Sequence, residues 1–126
     1  MREKIHTIGW AFAQTRLLTL AVEHGVFDQL AESPMTEEQL AKAINTESIA
    51  TGKVVRALCA MELLKRSEDG CFRLTDEMQA AWTSPHPPRS IIMHLQRMYE
   101  RWIDLDAWIQ GDPGYHRERP SGSDRS

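Results

Sequence analysis

Five histidines (His6, His24, His86, His94 and His116) and two cysteines (Cys59 and Cys71) are the side chains here best suited to holding a metal or moving a proton. Their spacing argues against both roles. A helical zinc site draws its ligands from one face, often as two histidines at i and i+4, and no two of the five are so placed. The cysteines lack metal spacing and suggest no secreted disulfide framework. Cys59 falls among apolar residues of a helical pattern and reads as a buried thiol. His24 and His94 also fall in helical patterns, as ordinary partly buried histidines. No nucleophile has a base and an orienting group beside it in a recognisable pattern. None of the seven glycines forms a GxGxxG or GxGxG run, and Gly111 and Gly114 follow no strand. A cradle for a phosphate or a nucleoside is therefore not expected. From these residue types no catalytic, cofactor-binding or metal-ligating residue is assigned.

The remaining chemistry is apolar recognition, and it lies on the two ends of the chain. Ile8, Ala11, Phe12, Thr15, Leu18 and Val22 share one face of an N-terminal helix, which Ile5 extends by a turn. Trp10 lies off that stripe. Gly25 should break the helix, and Val26, Phe27 and Leu30 continue as a short second helix. Ser33-Pro34 ends it, because the residue before proline disfavours helical geometry. At the other end, Thr83-Ser84-Pro85-His86-Pro87-Pro88 reads as a loop, and a long helix is expected from about Ser90. Its residues Ile91, Leu95, Met98, Trp102, Leu105 and Ile109 step by four and three, a heptad-like seam. Ile92, Tyr99 and Ile103 add a second apolar edge, and Trp108 further bulk. Burying a large apolar side chain is worth roughly 1.5–3 kcal/mol. These two helices carry more apolar surface than the block between them can cover. A partner subunit is the expected cover, with Ile5, Ile8, Phe12, Leu95, Trp102 and Leu105 at a homodimer interface.

Between them, residues 36–75 read as helix, turn, helix and hairpin. Thr36-Glu37-Glu38-Gln39 has the form of a capping box, with two glutamates in the first turn where the helix dipole favours them. Asn45 is the expected left-handed stop, and Ser48 the expected cap of the next helix. Val54, Val55, Leu58 and Met61 give that helix its apolar face. Strands are expected over 63–66 and 71–74, joined by Ser67-Glu68-Asp69-Gly70, since Asp-Gly favours a hairpin turn. Thr75 should cap a helix running Asp76 to Trp82. The expected fold is mainly α: a winged helix-turn-helix with a small two-stranded β-hairpin and long flanking dimerisation helices.

A winged helix suggests DNA, but the charges of this block oppose it. It holds six basic and six acidic residues, so it lacks the net positive charge that drives phosphate binding. Its would-be recognition helix offers Lys53 and Arg56 alone, and Glu68 and Asp69 occupy the wing tip. The whole chain, 126 residues with a net charge of −3, implies neither a nucleic-acid nor an anionic-membrane partner. No apolar run is long enough to span a bilayer and no signal peptide is evident, so a cytoplasmic location is expected. Residues 1–110 form one expected domain. Residues 111–126 are turn-forming and polar, and read as a flexible tail or truncated linker.

The stretch Leu18-Thr19-Leu20-Ala21-Val22-Glu23-His24-Gly25-Val26-Phe27-Asp28-Gln29-Leu30 is followed by Met35-Thr36-Glu37-Glu38-Gln39-Leu40-Ala41. Arg56-Ala57-Leu58, Leu63-Leu64 and Phe72-Arg73-Leu74-Thr75 come next, and His94, Tyr99, Trp102 and Leu105 lie further on. In order and spacing this resembles the N-terminal dimerisation domain of S-adenosylmethionine-dependent small-molecule O-methyltransferases, over about residues 5–111. The resemblance implies a winged-helix-like unit intertwined across a homodimer. It places Trp10 and Phe12 near the partner's acceptor pocket, and Met98, Tyr99 and Trp102 in the chain's own. It implies an aromatic or polyketide-like small molecule as ligand. It puts S-adenosylmethionine and the catalytic histidine in an attached catalytic domain, whose motifs this chain lacks. The leading expectation is a dimerising, pocket-forming module, as part of such an enzyme or as a free-standing relative. A winged-helix transcriptional regulator and a non-catalytic apolar-ligand-binding dimer are the alternatives.

Overall fold

The computed structural model describes residues 1–111, and all but the first residue of the tail expected over 111–126 lies outside them. The element order is α1 (Arg2–His24), α2 (Val26–Glu32), α3 (Glu37–Ile44), α4 (Ser48–Ala60), β1 (Leu64–Arg66), β2 (Phe72–Leu74), α5 (Asp76–Trp82), α6 (Arg89–Trp102) and α7 (Leu105–Ile109). The fold is mainly helical with one two-stranded antiparallel sheet.

Local chemistry explains most element ends. Gly25 adopts φ +81°, a left-handed conformation that costs glycine little, and its N–H caps α1 through Ala21 and Val22 carbonyls. The capping box of α3 forms in full: Gln39 N–H donates to Thr36 Oγ1 at 3.2 Å, and Thr36 N–H to Gln39 Oε1 at 2.9 Å. Asn45 closes α3 at φ 58°. Thr75 caps α5 by accepting the Met78 N–H at 3.2 Å.

One expected cap is displaced. Glu47, not Ser48, caps α4, because its longer carboxylate reaches the N–H groups of Ile49 at 2.6 Å and Ala50 at 3.0 Å. Those two bonds hold the Glu47 carboxyl below its ordinary pKa, as expected for a full negative charge on a helix N-terminus.

The hairpin pairs Leu64 with Leu74, Lys65 with Arg73 and Arg66 with Phe72. Asp69 braces its turn by accepting from the Ser67 hydroxyl and the Cys71 N–H. Met35 adds a bridge on the far side of β2, exchanging both backbone hydrogen bonds with Phe72. That bridge ties the α2–α3 connection to the hairpin.

Phe27, Phe72, Leu40, Leu58 and Val55 are fully buried at the centre, with Leu30, Leu64, Leu74, Met78 and Trp82 around them. Of the expected face of α4, Val55 and Leu58 enter this core, while Val54 and Met61 are only partly buried against it. Cys59 is half-buried, and desolvation raises its thiol pKa. Helix α1 enters the core only with its second half, through Thr19, Ala21 and Val22. Its first half, with Ile5, Ile8, Trp10 and Phe12, stands in solvent.

The expected long C-terminal helix is interrupted. Helix α6 ends at Trp102, and α7 resumes at Leu105 with no buried residue. Of the two apolar edges of α6, the core takes Ile92. The residues of the heptad-like seam, Ile91, Leu95, Met98 and Trp102 with Leu105 and Ile109 of α7, all stay exposed.

Candidate functional site

Helix α6 lies against α1, and the two enclose a cleft of about 290 Å³ lined by Ala11, Phe12, Thr15, Leu95, Met98, Tyr99 and Trp102. The walls are almost wholly apolar, and no carboxylate, ammonium, guanidinium or imidazole lines them. Such a space favours a flat uncharged molecule, because a charge brought here would lose its water without gaining a partner.

Two polar clusters set the position of α6. In the first, the amide oxygen of Gln96 accepts from the Thr19 hydroxyl at 2.7 Å and from Arg16 Nη1 at 3.0 Å. Arg16 also pairs with Glu23 at 2.7 Å. Thr19 is wholly buried, and its hydroxyl also has the Arg16 carbonyl within reach at 3.1 Å and accepts from Arg16 Nη1 at 3.2 Å, so it is satisfied from both sides. Arg16 follows Thr15 directly and Thr19 lies one turn beyond it, while Gln96 follows Leu95, so this cluster holds α6 to α1 beside the cleft.

The second cluster holds the start of α6. The Asp28 carboxylate accepts from both terminal nitrogens of Arg89 and from Trp82 Nε1 at 3.1 Å. The Arg89 guanidinium also lies 4.7 Å from the centre of the Trp82 ring, within cation–π range. The Arg89 hydrogen bonds hold the Asp28 carboxyl below its ordinary pKa, against the opposing effect of burial and with help from Trp82. A lowered folded-state value means a contribution to stability that is present above the unfolded pKa. It is lost as pH falls through the folded value. Both side chains are nearly half exposed, so solvent screening keeps the contribution to about 1 kcal/mol or less. Thermal melts should therefore show Asp28→Asn lowering the Tm at pH 7. That difference should shrink as the pH falls below the usual carboxylate range, and a gap unchanged at pH 2–3 would exclude the clamp as its source.

The residues named from the sequence divide into two groups. Phe12, Met98, Tyr99 and Trp102 meet in the cleft, joined by Leu95, which the sequence had suggested for the interface. Trp10 does not line it. Its ring stacks on Phe12 at 6.3 Å and approaches His6 at 6.0 Å, on the exposed part of α1. Ile5, Ile8 and Leu105 are exposed outside the cleft. Sequence reasoning missed Arg16, Thr19, Asp28, Arg89 and Gln96. Their partners lie 54 to 80 residues apart, beyond any local pattern. A smaller apolar bowl of about 150 Å³ lies between the end of α1 and the α3–α4 turn. It has no aromatic wall apart from His24, and its hydroxyls, Thr46 and Thr51, are 2.6 Å apart and bonded to each other.

Among the described residues no group of three or more His, Cys, Asp or Glu is placed to hold a metal, and no helix is long and apolar enough to cross a membrane. The sheet of the described residues is an antiparallel hairpin, and β2 leads into α5 through Thr75.

Residues 8–82 match the family described as the O-methyltransferase dimerisation domain. The N,N-dimethyltransferase OxyT of Streptomyces rimosus is 30% identical over 108 residues, covering 82% of this chain and 31% of that protein. The structure described as PigF with SAH superposes with a TM-score of 0.78 at 23% identity, over 89% of this chain and 34% of that one. An O-methyltransferase family 2 protein from Planctomyces limnophilus, in complex with apigenin, gives a TM-score of 0.56 at 36% identity, over 62% of this chain and 24% of that one. The chain thus spans about a third or less of the curated relatives it matches.

Proposed function

We propose, for a chain that belongs to the O-methyltransferase dimerisation-domain family, that it pairs with a second copy of itself and supplies one wall of an aromatic acceptor pocket. The methyl transfer would use S-adenosylmethionine held by a catalytic domain joined to this one. The observation that carries the reading is the α1–α6 cleft: two helices that leave large apolar faces in solvent also enclose an uncharged space with aromatic walls. The names of the relatives support methyl transfer as the reaction class, and the apigenin complex of one of them supports a flat aromatic ligand.

Within that reading each residue has a limited task. Phe12 and Trp102 offer ring faces, Met98 adapts its shape to the ligand edge, and Leu95 excludes water. Methyl transfer to a phenol or amine is faster when the attacking atom is stripped of water and held in line. The described residues contribute that positioning, and no proton transfer is drawn through them.

The block of α3, α4 and the β1–β2 hairpin supports a winged-helix reading in which the unit is a scaffold. Its six acidic and six basic residues balance, and Arg56, one of two cations on α4, is paired with Glu37 at 3.3 Å. The transcriptional-regulator alternative is set aside, since the relatives matched are methyltransferases.

Titration with apigenin while Trp fluorescence is followed tests the pocket. Quenching should saturate, should largely vanish in Trp102→Phe, and should need at least about tenfold more ligand in Met98→Arg, where a cation meets an apolar wall. Quenching that survives both substitutions, or none in the parent protein, would refute a pocket at this cleft.

A further inference from the structure

We infer that Tyr99 and Trp102 select the ligand of the α1–α6 cleft for a carbonyl group: the molecule bound there is a flat, uncharged aromatic ketone whose oxygen accepts a hydrogen bond from each. The inference rests on the aromatic pocket proposed above and names its substrate class.

Three of the residues that line the cleft, Thr15, Tyr99 and Trp102, carry a polar atom on the side chain. The Thr15 hydroxyl is turned to its own helix, donating to the Ala11 carbonyl at 3.5 Å, a habit of threonine inside helices. The other two stand three residues apart on α6. Side chains so spaced are neighbours on one face, with Cβ atoms about 5–6 Å apart, close enough to converge on one oxygen. Among the described residues neither the Tyr99 hydroxyl nor the Trp102 indole N–H has a hydrogen-bond partner. Water reaches both in the single chain, since Tyr99 is only partly buried and Trp102 is exposed.

A ligand seated against the rings of Phe12 and Trp102 takes that water away. A donor buried without a partner weakens binding, and buried Tyr O–H and Trp N–H groups usually find one for that reason. The kind of group that meets both follows from their chemistry. The indole N–H donates and cannot accept, whereas the phenol does either. A ligand O–H or N–H donor could be taken by Tyr99, but it would leave Trp102 unpaired. An acceptor meets both, and a carbonyl oxygen has two lone pairs, one for each donor. A carboxylate would accept as well, but no cation lines the cleft to offset its loss of water. The cleft, about 290 Å³, is at the small end of ligand sites. A single carbonyl is therefore a large part of what its walls can read.

Equilibrium dialysis of the full chain against hydroxyfluorenone and hydroxyfluorene tests this. The two are flat tricyclic phenols that differ by one ring carbonyl. The parent protein should bind the ketone at least about tenfold more tightly, because a site built to donate a hydrogen bond rejects the analogue that lacks the acceptor. Tyr99→Phe and Trp102→Phe each keep a ring at the cleft and remove one donor. Each should lower the ratio of the two affinities. The double variant should bring that ratio to one or below, since the carbonyl then loses water and gains no partner. The ratio is the decisive readout, because a merely structural role would change both affinities alike. A parent protein that binds both compounds equally, or a double variant that keeps the full ratio, would overturn the carbonyl assignment and leave the apolar pocket standing. A parent protein that binds neither compound would overturn both.

Discussion

The double substitution Ile8→Asp and Phe12→Asp is expected to yield a folded monomer. Both side chains are large and exposed in the single chain, Ile8 at 65% and Phe12 at 54%, and neither belongs to the core. Introducing charge there should leave the fold intact. In a symmetric pair each residue counts twice, so full burial of the four side chains would be worth roughly 6–12 kcal/mol. Even half of that corresponds to a dissociation constant changed by at least about a hundredfold. Two buried carboxylates per subunit would add a desolvation penalty. Light scattering across a concentration series should show one chain's mass where the parent shows two. A soluble dimer of unchanged mass would mean that pairing uses another surface, and the α6–α7 seam would be the next to test.

The largest loss of stability is expected from Phe27→Ala. Phe27 is fully buried and packs against Trp82 with ring centroids 5.1 Å apart at 53°, a tilted aromatic pair. It joins α2 to α5, and Trp82 in turn meets Arg89 at the start of α6. Truncation should cost about 3–5 kcal/mol, a large share of the roughly 5–15 kcal/mol that holds a domain of this kind. Urea unfolding is best read in the Ile8→Asp/Phe12→Asp background, where pairing no longer adds a concentration-dependent term. The midpoint should fall sharply with little change in slope. Trp102→Ala is the control. Its side chain is 63% exposed, and its loss should shift the midpoint far less. A Phe27→Ala loss below about 1 kcal/mol would show that the site collapses without leaving a cavity.

These two residues also show how unevenly the molecule could be read from its sequence. Phe27 and Phe12 both sit in apolar helical patterns, and nothing local marks one for the core and the other for solvent. The difference arises because α2 is surrounded by α3, β2 and α5, whereas the first half of α1 extends beyond the block. The stripe on α1 was legible as a stripe. That only its second half meets the chain's own core was not.

Features set within a few residues were read correctly: the capping box at Thr36 and Gln39, the helix break at Gly25, the left-handed stop at Asn45, the Asp69-Gly70 hairpin and the Thr75 cap. In each, the interacting groups lie within about four residues of one another, so spacing alone constrains the geometry. Where two local options competed, the outcome depended on reach, as when Glu47 capped α4 in place of Ser48. The interruption after Trp102 had no local signal at all.

The amino-acid order was enough for the helical grammar, the hairpin, the charge balance that disfavours nucleic acid, and the excess of apolar surface on the flanking helices. All of these follow from composition and from contacts within one or two turns. The cleft itself came from packing. Phe12 and Trp102 are ninety positions apart in the chain and line one space. They do so because Thr19 and Arg16 hold Gln96, and Asp28 and Trp82 hold Arg89. Such pairings cross several elements and depend on where the whole core places each helix, so no spacing along the chain encodes them.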